Sequence, residues 1–234
     1  MNIKNSRVLI TGGSSGIGKA TAKMFIDNGA TVVITGRDAQ KLARVATEIG
    51  AIPLQFDVSD LKSIPSKMKE ALALLDGKLD TLVNNAGIGV FPLLGVITEE
   101  DLTQVYTTNV FGLALLTQEI IPLFKANSYG NIINIGSTAS QKGFARGSVY
   151  AASKFAVRGM TQSWQAELRK DNIRVCLVNP SEVTTAFADM SRTEREEESN
   201  KLGSEDIAQA IISVVEMRDK AFVPEVTVWA TNPF

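Results

Sequence analysis

Residues 11–18 read Thr11-Gly12-Gly13-Ser14-Ser15-Gly16-Ile17-Gly18, a glycine-rich turn between the apolar run Val8–Thr11 and a segment of helical period, Gly16–Asn28. Glycine permits a tight turn and brings backbone N–H groups close to a ligand, and a helix N-terminus attracts negative charge. The spacing is G-x-x-x-G-x-G rather than the commoner G-x-G-x-x-G. A glycine turn by itself would also suit an ordinary loop. Placed between a strand and a helix, it favours a dinucleotide-binding site.

Short apolar runs alternate with helical segments on both sides of this turn. Strands are predicted at Val8–Thr11, Thr31–Thr35, Ile52–Phe56, Thr81–Val83, Asn131–Ile135, Arg174–Val178 and Val226–Trp229. Helices are predicted at Gly16–Asn28, Asp38–Ile49, Ser59–Leu75, Glu99–Phe124, Ser148–Lys170 and Ser204–Met217. The strands are rich in Val and Ile without polar alternation, which indicates burial on both faces. The pattern predicts an α/β protein: a single doubly wound Rossmann-type domain over residues 1–234, with a parallel sheet of about seven strands and helices on both faces.

Composition excludes several classes of function. The formal net charge is −1, which gives no indication of a nucleic-acid or membrane partner. The sequence contains no histidine, so Ser-His-Asp hydrolysis and most zinc catalysis are excluded, and no metal site is predicted. The single cysteine, Cys176, lies in an apolar run and is expected to be a core residue rather than a reactive thiol. With no signal peptide or membrane span in the sequence, we expect a cytoplasmic protein.

Further motifs follow the later strands in a fixed order. Asp57-Val58 follows the third strand and Asn84-Asn85-Ala86-Gly87 the fourth; Asn109, Ser137, Tyr150 and Lys154 come after them. With the glycine turn, these motifs resemble the short-chain dehydrogenase/reductase family over nearly the whole chain, and especially its 3-oxoacyl-carrier-protein and sepiapterin-type reductases. The resemblance implies a catalytic set of Asn109, Ser137, Tyr150 and Lys154. It implies cofactor contacts at Gly12, Ser14, Ser15, Gly16, Ile17, Gly18, Asp57, Val58, Asn85, Ala86, Gly87, Tyr150 and Lys154.

The end of the second strand predicts NADP rather than NAD. An NAD enzyme uses a carboxylate there to accept from the ribose 2′-hydroxyl. This chain has Gly36 at that position, followed by Arg37, whose guanidinium can pair with a 2′-phosphate. Asp38 is the alternative ribose acid, but we interpret it as the N-cap of the following helix. Arg37 is therefore a predicted cofactor contact.

Tyr150 and Lys154 share one face of a helix because they are four residues apart. An ordinary tyrosine titrates near pH 10, so we expect the neighbouring cation to lower the pKa of Tyr150. Tyr150 would then exchange a proton with the substrate oxygen, and Ser137 would stabilise charge on that oxygen. By the family resemblance, Lys154 also holds the nicotinamide ribose, and Asn109 supports a water chain to Lys154.

The segment after the sixth strand is less decided. The resemblance implies cofactor contacts at Pro180 and Val183. It also implies a contact through the hydroxyl of Thr184 or Thr185, and the sequence does not decide between these two. Ser181 replaces the glycine common in the family. Residues 182–203 include a charge-dense run that is either a solvated surface segment or a substrate lid. Candidate substrate contacts are Ile88, Gly89, Val90, Phe91, Thr138, Ala139, Phe144 and Phe187–Met190; most are apolar.

The predicted function is transfer of a hydride between NADPH and a carbonyl or alcohol carbon of a small, apolar substrate. Two alternatives remain: a regulator that binds NADP without turnover, and an isomerase or dehydratase that uses the cofactor transiently. The segments Glu99–Phe124 and Ser148–Lys170 resemble the association surfaces of the family, so a homodimer or homotetramer is expected.

Overall fold

A computed structural model of the chain describes residues 2–185, 187 and 198–233. In this part of the chain, seven parallel strands form one sheet in the order β3-β2-β1-β4-β5-β6-β7. The strands are β1 (Arg7–Ile10), β2 (Thr31–Gly36), β3 (Ile52–Gln55), β4 (Thr81–Asn84), β5 (Gly130–Ile135), β6 (Ile173–Pro180) and β7 (Glu225–Val228). The predicted Rossmann-type α/β sheet is confirmed.

Helices cover both faces of the sheet. They are α1 (Gly16–Asp27), α2 (Ala39–Ile49), α3 (Ile64–Leu74), α4 (Glu99–Tyr106), α5 (Leu113–Asn127), α6 (Ser148–Leu168) and α7 (Ser204–Glu216). Consecutive strand residues point to opposite faces. Accordingly Ile10 packs in one core with Phe25 of α1, while its neighbour Leu9 packs in the other with Phe124 of α5. This double burial explains why the strands lack polar alternation.

The predicted helix Glu99–Phe124 is helical throughout, but it is not one regular α-helix. Helix α4 ends at Tyr106, a π-helical turn spans Thr107–Gly112, and α5 continues to Asn127. The wider turn brings Gly112 against Val58, where a Cβ would collide with the carbonyl oxygen of Val58. This contact between distant segments requires glycine and cannot be inferred from helical period alone.

The start of the third helix also differs from the prediction of Ser59–Leu75. Helix α3 begins at Ile64, because the Asp57 carboxylate accepts hydrogen bonds from Ser59 N at 2.9 Å and Ser59 Oγ at 2.7 Å and turns the chain first. The predicted cap of α2 is confirmed: Asp38 Oδ1 accepts from Lys41 N at 2.9 Å. Cys176 is buried, as expected of a core residue, and burial raises its pKa to about 12.

Strand order determines where a ligand can bind. The chain turns outward in opposite directions from β1 and β4, and the crevice beyond the carboxyl ends of such a pair is the binding position in open α/β sheets. The glycine turn follows β1, and the segment Asn85–Gly87 follows β4. None of the helices that the structure describes has the length and apolarity of a membrane span.

Candidate active site

A cleft of about 1370 Å³ lies over the carboxyl ends of the strands. Most of the predicted site residues line it. They are Gly12, Ser14, Ser15, Gly16, Ile17, Arg37, Asp57, Val58, Asn85, Ala86, Gly87, Ser137, Tyr150, Lys154, Pro180 and Val183. Residues that are more than a hundred positions apart in the chain therefore meet in one cavity.

Three predicted site residues do not line this cleft: Gly18, Asn109 and Thr184. Gly18 lies under the glycine turn, where a Cβ would collide with the carbonyl oxygen of Gly12. The glycine therefore lets α1 approach the turn and does not contact the cleft. Thr184 is 8% exposed, and its neighbour Thr185 faces the cleft. Of the two threonines that the sequence left open, the geometry favours Thr185.

The glycine turn is fixed to the segment after β4. Thr11 Oγ1 accepts hydrogen bonds from Asn85 N at 3.1 Å and Ala86 N at 3.0 Å. Asn85 Nδ2 donates to the carbonyls of Thr11 at 2.9 Å and Gly12 at 3.0 Å. Gly12 has φ +66° and Gly16 has φ +50°, values that glycine adopts without strain. The rigid turn and the N-terminus of α1 fit a pyrophosphate.

The far end of the cleft carries positive charge. Arg37 is exposed after β2 and lines the cleft together with Lys41, which the sequence reasoning did not single out. A Cβ on Gly36 would lie 3.1 Å from Ser14 Oγ, so the strand end has little room for a larger side chain. Two cations and the Ser14 hydroxyl fit a phosphorylated ribose.

Tyr150 is 8% exposed and lies against the cleft beside Ser137. Burial raises the pKa of Tyr150 to about 12, although its hydrogen bond with the Ser137 side chain acts in the opposite direction. The expected lowering of this pKa is therefore wrong for the protein by itself. At neutral pH the phenol holds its proton and can donate it.

Lys154 is buried at the base of the site. Its Nζ donates to the carbonyl of Ile135 at 2.7 Å and lies 5.8 Å from the centroid of the Tyr150 ring. Burial lowers the pKa of Lys154 to about 8. The ammonium form still predominates at pH 7, and a cation this close favours the phenolate of Tyr150 when the phenol releases its proton.

Asn109 lies in the π-helical turn and is 1% exposed. Its side chain accepts from Ile88 N and donates to Ile88 O, both at 2.9 Å, and it also donates to Ser153 Oγ at 3.1 Å. Ser153 Oγ donates to the carbonyl of Tyr150 at 2.7 Å. Asn109 thus joins the segment after β4 to the helix that carries Tyr150 and Lys154.

Comparison with known proteins agrees with this geometry. A family model described as short chain dehydrogenase matches residues 6–197. The chain belongs to the short-chain dehydrogenase family. Its relatives include an NADP-dependent 3-hydroxy acid dehydrogenase of Schizosaccharomyces pombe, 32% identical over 96% of this chain and 92% of the relative. A sepiapterin reductase of Chlorobaculum tepidum is 31% identical over 96% of each chain. A solved metagenomic short-chain oxidoreductase in complex with NADP is 32% identical, with TM-score 0.83 over 97% of this chain and 98% of the other.

The end of the cleft beside Tyr150 is aromatic. The ring of Tyr150 lies 5.3 Å from that of Phe91 and 5.6 Å from that of Phe187, and Phe144 lies 6.1 Å from Phe91. Trp229, which follows β7, is a lining residue that sequence reasoning missed. Ile88, Thr138 and Ala139 line the cleft as predicted, whereas Arg146 is exposed and its Nε donates to the carbonyl of Phe91 at 2.9 Å.

The predicted lid, residues 182–203, lies partly outside the described residues, since 186 and 188–197 are not described. Its two ends are joined. Val183 pairs with Leu202, and Lys201 Nζ lies 3.0 Å from Glu182 Oε1 and 3.1 Å from Glu198 Oε2. The described residues on the two sides of the gap therefore lie together, and Glu182 and Val183 line the cleft.

We expect Lys154→Met to stabilise the protein at pH 7. Below pH 8 the lysine is charged in both the folded and unfolded states, and the full cost of burying the charge is present. As pH rises from 8 toward 10.5, the folded state loses this proton first, so the cost disappears and the wild type gains stability relative to the variant. A shift from 10.5 to about 8 corresponds to about 3 kcal/mol.

Urea unfolding at pH 7 and at pH 9.5 measures this difference. Lys154→Met is expected to raise the unfolding free energy at pH 7 by about 2 kcal/mol, since the hydrogen bond to Ile135 is lost, and by less at pH 9.5. Lys23→Met, at an exposed lysine of α1, is the control and should change little at either pH. If Lys154→Met were less stable than the wild type at pH 7, the buried ammonium of Lys154 would not destabilise the folded protein.

Proposed function

We propose that this short-chain dehydrogenase transfers a hydride between NADPH and a carbonyl or alcohol carbon of an uncharged substrate, with Tyr150 as the acid or base. One observation carries the proposal: Ser137 and Tyr150 line the same cleft as hydrogen-bond partners, and the buried Lys154 has its Nζ 5.8 Å from the centroid of the Tyr150 ring. The NADP-dependent relative, the NADP-bound solved structure and the cationic end of the cleft support NADP as the cofactor.

The residues of the chain account for the proton and the charge. When bound, NADPH supplies the hydride to carbon. Tyr150, protonated at neutral pH, donates its proton to the carbonyl oxygen as negative charge develops there. Ser137 donates a hydrogen bond to the same oxygen. Lys154 and its buried charge stabilise the resulting phenolate, and in the oxidative direction Tyr150 accepts the proton instead.

The aromatic end of the cleft supports an apolar group on the substrate. Phe91 and Phe187 contact the ring of Tyr150, and Phe144 contacts Phe91, so a group attached to the reacting carbon would bury its surface against these rings. Gly89 also faces this cluster, since a Cβ there would come within 2.7 Å of the Phe91 ring. We therefore propose a ketone or aldehyde with an aryl or alkyl substituent.

Absorbance of the reduced nicotinamide, followed with a panel of ketones and aldehydes, tests the function. We expect NADPH consumption that depends on substrate, with aryl and alkyl ketones turning over faster than keto acids. Tight NADPH binding with no turnover across the panel would favour the regulator. Substrate conversion without net consumption of NADPH would favour the isomerase or dehydratase.

We also propose self-association through α5 and α6. Phe111 at the start of this region is 48% exposed, Leu115 of α5 39% and Phe155 of α6 44%, which is a large apolar area for a solvated surface. Light scattering at micromolar concentration should give the mass of a dimer or tetramer. A mass of one chain, 25.2 kDa, would contradict this proposal.

A further inference from the structure

Glu225, the first residue of β7, lies outside the cleft lining but is hydrogen-bonded to the loop that carries Ser137. Its Oε1 accepts from Gln141 Nε2 and from Asn179 Nδ2, both at 2.8 Å. Its Oε2 accepts from Arg158 of α6 at 3.2 Å. The carboxylate side chain is 24% exposed, so this ion pair is only partly screened by solvent. One carboxylate therefore joins three elements behind the site.

Asn179 connects Glu225 to the backbone of Ser137, whose N–H also donates to Ser140 Oγ at 3.1 Å. Asn179 is 0% exposed, and its Oδ1 accepts from the backbone N–H of Ser137 at 3.2 Å while its Nδ2 donates to Glu225. A Cβ on Gly136 would collide with Asn179 Oδ1, so glycine at that position is what allows the amide to approach. Because Glu225 accepts from Nδ2, it fixes which end of the amide faces Ser137.

The other end of the same loop is held by β7. Gln141 Nε2 donates to Glu225 Oε1 and to Thr227 Oγ1, each at 2.8 Å, and Glu225 and Thr227 are two residues apart and share a face of β7. The loop between Ser137 and Gln141 is thus held at its first residue by Asn179 of β6 and at its last residue by Glu225 and Thr227 of β7. Glu225 is bonded to both Asn179 and Gln141, and the Ser137 hydroxyl lies at the first of these two points.

We propose that Glu225 is a positioning residue that sets the Ser137 hydroxyl against the substrate oxygen, with Arg158 orienting the carboxylate. The inference rests on the proposed function, since it concerns the same reaction. A displacement of the hydroxyl by a fraction of an ångström weakens a hydrogen bond that matters most in the transition state. Loss of Glu225 should therefore lower kcat and change cofactor binding little, because the glycine turn, Arg37 and the segment Asn85–Gly87 lie on loops to which Glu225 is not bonded.

A double-mutant cycle with Glu225→Gln and Ser137→Ala tests the proposal. We expect Glu225→Gln alone to lower kcat about tenfold with KM for NADPH unchanged, and Ser137→Ala alone to lower it about a hundredfold. In the Ser137→Ala background, Glu225→Gln should lower kcat little further, because the hydroxyl that Glu225 positions is already absent. A general structural role would instead give losses that multiply.

Two further variants complete the design. Arg158→Met leaves Glu225 in place but removes its ion pair. It should lower kcat by less than Glu225→Gln does, and this loss should also vanish in the Ser137→Ala background. If Glu225→Gln fails to fold, the same cycle is measured with Arg158→Met. Glu70→Gln, at another ion-paired carboxylate 2.8 Å from its lysine, is the control and should have wild-type kcat. Multiplying losses, or an unchanged kcat while Ser137→Ala is impaired, would overturn the positioning role alone. A wild type without turnover would overturn the proposed function and this inference with it.

Discussion

Tyr150→Phe is expected to lower kcat for carbonyl reduction about a thousandfold, within the range that general acid catalysis contributes. Phenylalanine keeps the ring and therefore its contacts with Phe91 and Phe187, at centroid distances of 5.3 and 5.6 Å. Only the hydroxyl is removed, and with it the proton for the substrate oxygen. The affinity for NADPH and the melting temperature should change little, so the loss can be assigned to the chemical step.

The matched control is Tyr106→Phe. Tyr106 is the last residue of α4 and does not line the cleft. The centroid of its ring lies 6.5 Å from that of Phe111. Tyr106→Phe removes the same phenol oxygen at a position outside the cleft, so this variant should keep wild-type kcat. Turnover of Tyr150→Phe within about threefold of the wild type would assign the proton to another group and remove the proposed mechanism.

The pKa values suggest how the two directions of the reaction depend on pH. Burial raises the pKa of Tyr150 to about 12, so the phenol is protonated at neutral pH and can serve as the proton donor in reduction. Oxidation needs the phenolate, which becomes accessible only if positive charge lowers that pKa. Lys154, with a pKa of about 8, supplies a cation nearby, and the oxidised nicotinamide adds a second one when bound. The sequence alone suggested the cation but gave no measure of the desolvation that opposes it.

Most of the architecture could be predicted because it depends on local patterns. Strands buried on both faces appear as apolar runs, and the turn at residues 11–18 is recognisable from its glycines and its position between β1 and α1. The cap at Asp38 is also a local feature. The set of Ser137, Tyr150 and Lys154 could be predicted because these residues and their order along the chain resemble the short-chain dehydrogenase family. The four-residue spacing of Tyr150 and Lys154 adds that the two share one face of a helix.

The remaining features depend on contacts between distant segments. The π-helical turn at Thr107–Gly112 is associated with the approach of Gly112 to Val58, which no periodicity encodes. The hydrogen bonds that Asn179 and Gln141 donate to Glu225 join positions that are 46 and 84 residues apart. Trp229 was read as the end of a strand, and only the folded chain brings it to the cleft. Such contacts depend on the angles between packed elements.

The choice of NADP over NAD is expected to depend on Arg37. No carboxylate stands directly at the end of β2, because Gly36 has no side chain. Asp38 also lines the cleft, but it caps α2, with Oδ1 accepting from Lys41 N at 2.9 Å. Arg37 is exposed at the edge of the cleft, so its guanidinium can pair with a 2′-phosphate in a water-accessible position. At such a position a charge pair contributes about 1 to 4 kcal/mol.

Arg37→Ala should therefore raise KM for NADPH about tenfold to a hundredfold, while KM for NADH changes by less than about threefold. Lys41, at the same end of the cleft, retains part of the attraction, which is why we expect a shift of preference and not its abolition. Arg37→Lys keeps the charge but loses the bidentate geometry and should fall between the two. Arg44→Ala, at an exposed arginine of α2 that does not line the cleft, is the control. Equal effects of Arg37→Ala on both cofactors would mean that the guanidinium does not bind the 2′-phosphate, and the discrimination would then have to reside in Lys41 and Ser14.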